Sequence, residues 1–187
     1  DVERSRIITM EVRKVAPKAL WANVLLLIGF AAAFHFLAEP LDFSFSIPGI
    51  LYFIIGYVVL IFIHEAFHLI GFILFAKVPF SSLDVGLNLD MGVAYATTTE
   101  PIPVKAMKKA LLLPFWMTAA IPGLIGFWIG DQVLVLLAAM LAAGAYGDFY
   151  MYKALLKEPK SAWVLDDPEL PRLHIFDEKP HSKSPDA

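Results

Sequence analysis

The sequence predicts an all-α membrane protein: a four-transmembrane-helix bundle with a short cytoplasmic-side β hairpin or strand in its long middle loop. Three observations predict it. Of the 187 residues 58% are hydrophobic and mean hydropathy is +0.66, above the range of ordinary soluble chains. The apolar residues are clumped into blocks rather than spread along one face. Four blocks reach the roughly 20 residues that a bilayer crossing requires.

In chain order, residues 1–18 form a basic arm carrying Arg4, Arg6, Arg13, Lys14 and Lys18. Residues 19–157 hold the spans, at about 20–38, 49–76, 110–129 and 133–152. The first is expected to be retained as a helix, because its apolar run continues through Phe34 and Leu37 beyond any signal-peptide core. Lys77, Lys105, Lys108 and Lys109 lie between spans two and three, and Lys153, Lys157 and Lys160 follow span four. The other two connections, residues 39–48 and 130–132, contain no lysine or arginine. By the positive-inside rule both termini and the middle loop are cytoplasmic, in a multi-pass protein of the cell membrane. A formal net charge of −3 argues against nucleic acid as a partner and leaves the lipid bilayer as the expected one.

Within the middle loop, residues 80–100, seven apolar residues from Leu83 to Tyr95 alternate with small or polar ones. Strict period two predicts one bent strand or a short hairpin with one apolar face, turning at residues 88–90. Such an edge either covers the mouth of the bundle or pairs with an extended peptide. Pro114 and Pro122 are expected to kink span three. Residues 158–187 are polar and proline-rich, with Trp163, Val164, Leu165, Leu173, Ile175 and Phe176 as the available packing anchors. His174 and His181 read as solvated tail residues, and the last ten residues as disordered.

The second span holds the most informative residues. Across residues 49–76 the only ionisable side chains apart from tyrosines are His64, Glu65 and His68. A charged group at the centre of a membrane helix costs on the order of 2.5–3.5 kcal/mol, which points to function. Two histidines four apart lie on one helix face and reach a single metal ion, and the glutamate beside them is placed to act on water. With no cysteine in the chain, metal ligands must be His, Asp or Glu. Catalytic zinc takes three protein ligands, so one more is needed. The candidates within the spans are His35, Asp148 and Glu65 itself. Depth favours Asp148: it lies five residues before Lys153, as His68 lies nine before Lys77, whereas His35 is at the opposite end of its span. Gly144 and Gly147 would let a neighbouring helix approach it.

The HEAFH stretch, the strand-rich loop, Pro114-Phe115, GDFYMYK at residues 147–153 and WVLDDP at 163–168 resemble the site-2 protease type of intramembrane zinc metalloprotease. More narrowly they resemble a family of zincin membrane peptidases catalogued as a domain of unknown function. The resemblance covers about residues 50–170. It implies zinc on His64, His68 and Asp148, with Glu65 as general base. It also implies a membrane protein or peptide substrate received on the strand formed by Leu87, Asn88, Leu89, Asp90, Met91, Gly92 and Val93. The site-2 group carries its aspartate in Asn-Pro-x-x-Asp-Gly, whereas Asp148 here ends Ala-Gly-Ala-Tyr-Gly-Asp. Two other classes fit the same residues, a metal-binding membrane transporter or sensor and a non-catalytic membrane adaptor. A transporter, however, would carry polar groups at successive depths rather than at one level.

Overall fold

The apolar blocks fold as helices, in which one segment satisfies its own backbone hydrogen bonds away from water. The computed structural model describes residues 5–167 and 169–180. Its elements are β1 (Arg6–Thr9), α1 (Val12–Leu37), α2 (Ile47–Gly71), β2 (Leu83–Asn88), β3 (Val93–Thr98), β4 (Ile102–Pro103), α3 (Val104–Phe115), α4 (Ile121–Ile129), α5 (Gln132–Gly144), α6 (Tyr146–Leu155), β5 (Trp163–Asp166) and β6 (Arg172–Phe176). Wide π turns extend α2 through Phe72–Ala76 and join α3 to α4 through Trp116–Ala120. Three helical stretches, Val12–Leu37, Ile47–Ala76 and Val104–Ile129, are long and apolar enough to cross a membrane, and α5 with α6 makes a fourth if that bent pair is one span. The first and third begin earlier than their apolar cores suggest, because the basic residues ahead of them are also good helix formers.

The chain divides into two compact units. One comprises Arg13–His64 and Pro114–Gly147. Small residues bring its helices together: a Cβ on Gly126 would stand 2.8 Å from Val135 Cγ2, and one on Gly56 2.8 Å from Leu137 Cδ1. The connection between α4 and α5 is as tight as expected. Gly130 takes φ +70°, and the Asp131 side chain caps α5 by accepting the Leu134 N–H at 3.0 Å. The expected break at the prolines of span three is the π turn between them. Pro122 has no N–H for the carbonyl four residues back, and the wider turn accommodates the defect. Outward apolar side chains abound, among them Leu20, Phe36 and Trp128, as lipid-facing helices require.

The other unit comprises Asp1–Val12, Glu65–Leu113 and Asp148–Ala187. Here the structure adds strands where the sequence led us to expect a helical bundle with one hairpin. The arm and the polar tail are not loose appendages over the described residues. They form a four-stranded antiparallel sheet in the order β1-β6-β5-β4, with Arg6 opposite Ile175, Trp163 opposite Phe176 and Ile102 opposite Val164. Val164, Ile175, Leu155 and Val104 are fully buried in its core with Met107 and Phe72. Each such side chain contributes about 1.5–3 kcal/mol of burial, which explains why so short a sheet holds. His174 is correspondingly not a solvated tail residue: it is 5% exposed in β6, with Nδ1 3.2 Å from the Ser5 hydroxyl and Nε2 3.0 Å from Asp167 Oδ2. His181, Pro168 and the end of the tail lie outside the described residues.

The expected hairpin is present as β2 and β3, turning at residues 89–92, but it does not have one apolar face. Its register pairs Asn88 with Val93, Leu87 with Ala94 and Gly86 with Tyr95. Odd residues therefore oppose even ones, so Val85 and Leu87 lie on the face opposite to Val93 and Tyr95. The Tyr95 ring lies over Gly86, where an added Cβ would stand 2.7 Å from the ring Cζ and the ring would have to turn aside.

Candidate metal centre and its cavity

α2 runs unbroken through His64, Glu65 and His68, because nothing between Ile47 and Gly71 interrupts its apolar, helix-competent sequence after Gly56. Both histidines are buried, at 7% and 6% exposure. Each is oriented through Nδ1. That of His68 lies 3.1 Å from the Ala110 carbonyl, to which it donates. That of His64 lies 3.4 Å from the Thr118 hydroxyl. Thr118 spends its own proton on the Pro114 carbonyl at 2.7 Å, so it receives the His64 N–H. A backbone or hydroxyl oxygen on Nδ1 selects the tautomer whose Nε2 lone pair is the metal-binding one.

Asp148 lies in the first turn of α6, where the glycines on either side of Ala145 weaken the helix and let the chain bend. Its Oδ2 is 3.2 Å from His68 Nε2. One ligand atom from each of His64, His68 and Asp148 lies within 4.8 Å of the others. These three could hold a metal ion, and the donor set fits zinc: two imidazoles and a carboxylate. The distance fits too, since ligands bonded at about 2.0–2.1 Å to a tetrahedral ion stand about 3.3 Å apart.

Glu65, His68 and Asp148 line a cavity of about 370 Å³, within the range of small-molecule and peptide side-chain sites. Of the loop residues expected to receive substrate, Asn88, Met91 and Val93 line it as well. Leu87, Leu89, Asp90 and Gly92 do not, and Leu89 projects from the hairpin tip at 86% exposure. The wall is instead continued by β3 through Thr97. Asn88 holds the tip by accepting the Met91 N–H at 3.0 Å.

Two pairs of residues beside the centre had no role assigned from the sequence. Thr118 and Ala110 act through a hydroxyl and a carbonyl that any residue pattern leaves anonymous. Asp166 and Asp167 stood in the WVLDDP stretch as adjacent acids without a role, and their environments differ. Burial pushes the Asp166 carboxyl up to about 6, against the hydrogen bond that Thr97 donates to it at 2.6 Å. Burial also acts on Asp167, but bonds from His174, Arg172 and the Glu169 and Leu170 backbone outweigh it and hold that carboxyl well below the usual range.

Comparison with curated proteins and with solved structures gives no match. A match does come from a protein family, the one described as "Putative zincin peptidase", over residues 57–163. That span is more than half of the chain and contains both histidines, Glu65 and Asp148, so the chain belongs to the family of zincin peptidases so described.

Proposed function

We propose that the protein is an intramembrane zinc metalloprotease that hydrolyses peptide bonds of membrane-associated protein substrates near the cytoplasmic face. The observation that carries this reading is the pairing of His68 with Asp148 at 3.2 Å in a cavity that Glu65 also lines, on a helix otherwise fit to cross a bilayer. His64, His68 and Asp148 would hold zinc. When bound, zinc increases the acidity of water and polarises a peptide carbonyl.

The remaining work falls to the chain's own side chains. Glu65 takes the proton of the attacking water and returns it to the leaving nitrogen. Ala110 and Thr118 hold the two imidazoles through Nδ1, which leaves each Nε2 as the atom that would bind zinc. A substrate helix must unwind before its peptide bond is reachable. β3, which lines the cavity from Val93 to Thr97, offers a strand on which the unwound segment can lie extended. The lysines after α2, along α3 and after α6 orient this end of the protein toward the cytoplasm.

The test is reconstitution of the chain with a candidate membrane substrate in proteoliposomes. Cleavage that stops on zinc removal and returns on zinc addition is expected. Zinc flux across the vesicle wall, lost in His64→Ala and unaccompanied by cleavage, would replace this reading with a transporter.

A further inference from the structure

Three acids that line the cavity, Asp166, Asp167 and Glu169, have no part in the reaction above. Asp166, the last residue of β5, lines it with Glu65, His68 and Asp148, and its carboxylate is held by the Thr97 hydroxyl at 2.6 Å. The neighbouring acids have cationic or imidazole partners: Asp148 faces His68, and Asp167 is bonded to Arg172 at 2.6 Å and to His174 at 3.0 Å. Among the described residues no lysine, arginine or histidine forms an ion pair with Asp166. Burial raises its carboxyl, against the hydrogen bonds from Thr97 and the Asp167 backbone and the nearby charge of His68. A carboxylate in such surroundings is costly until a cation or proton reaches it.

The rest of the cavity says what kind of cation fits. Met10, Met91, Met107 and Met151 line it, four of the six methionines in the chain. Unbranched thioethers adapt to a flexible alkyl stem and do not demand one shape. The lining holds five acids against His68 and Arg172. A divalent ion on the histidines would be offset by Asp148 and Glu65, and Arg172 is offset by Asp167, which leaves Asp166 and Glu169 as the cavity acids without a cationic side chain of their own among the described residues.

We infer that this cavity accepts a lysine or arginine side chain of the substrate near the scissile bond, its stem along the methionines and its charge on Asp166. The inference rests on the peptidase reading for its substrate, but its test does not depend on cleavage. Zinc-loaded, full-length Glu65→Gln protein is titrated with fluorescent Ala/Leu peptides that differ at one central position: lysine, norleucine or glutamate. The lysine peptide should bind about tenfold more tightly than the norleucine peptide, the size of a charge-assisted hydrogen bond, and the glutamate peptide more weakly than either. Adding Asp166→Asn should bring lysine down to norleucine and leave the norleucine affinity unchanged.

Equal binding of lysine and norleucine to the Glu65→Gln protein would overturn the inference, and this comparison needs no change at Asp166. So would an Asp166→Asn protein that weakens both peptides alike, since that would make Asp166 a brace for β3 through Thr97. Discrimination that vanishes with Asp166→Asn stands even if the wild-type protein cleaves nothing. Cleavage without discrimination ends the inference and leaves the peptidase reading intact.

Discussion

His68 and Gly71 meet the same residue of α3. The His68 Nδ1 lies 3.1 Å from the Ala110 carbonyl, and a Cβ on Gly71 would stand 2.8 Å from Ala110 Cα. The close helix approach that orients the imidazole is therefore set by a missing side chain one turn away.

Gly71→Ala should be harmful despite its better helix propensity. The propensity gain is about 0.8–1 kcal/mol. The obstructing atom is backbone and cannot rotate aside, so the overpacking cost of about 1–3 kcal/mol prevails. Displacing the Ala110 carbonyl should also lower zinc affinity by about 10–100-fold, the usual effect of losing an outer partner of a histidine ligand. Zinc titration of the purified variant checks this.

Asp148→Ala should lose zinc while retaining helix content. Removing one of three ligands leaves two imidazoles on one helix, too few for a catalytic site. Metal analysis should fall from near one zinc per chain to a small fraction, with the far-ultraviolet circular dichroism spectrum unchanged.

Ile175→Ala should destabilise the sheet-bearing unit by about 2–5 kcal/mol, because Ile175 is fully buried between β1 and β5. Thermal unfolding followed by proteolytic cutting within residues 158–180 reports it. A tail that merely lay in solvent would be cut equally in both proteins.

The two adjacent acids should give stability opposite slopes with pH. Asp167 has a lowered carboxyl in the folded state, so its stabilisation is complete above the ordinary carboxylate value of about 4 and is lost as pH falls through that range and below. Asp167→Asn should remove that acid lability. Asp166 is raised to about 6, so the folded state holds its proton longer than the unfolded one and stability falls as pH rises from about 4 to 6. Asp166→Asn should flatten that decline. Unfolding measured from pH 3 to 8 separates the two.

The centre was legible in the sequence because its spacing follows from helix geometry: residues 64 and 68 share a face whatever the fold, and Asp148 could be matched to them by depth alone. The four-stranded sheet was not legible. β1 has four residues and β4 two, and Arg6 finds its partner Ile175 across most of the chain. No local periodicity records such a pairing. His174 was misread for the same reason, since only the sheet buries it. The hairpin shows a subtler limit. Alternation continues through the turn in the sequence, but the four residues at 89–92 pair odd positions with even ones and send the apolar side chains to both faces.

Cleavage by zinc-loaded Glu65→Gln tests the central claim most directly. The variant keeps both histidines and Asp148, so its zinc content should match that of the wild-type protein. Cleavage of a co-reconstituted membrane substrate should fall by at least about 10²–10⁴-fold, the contribution of a general base. Wild-type cleavage rates in a fully zinc-loaded Glu65→Gln protein would contradict the account.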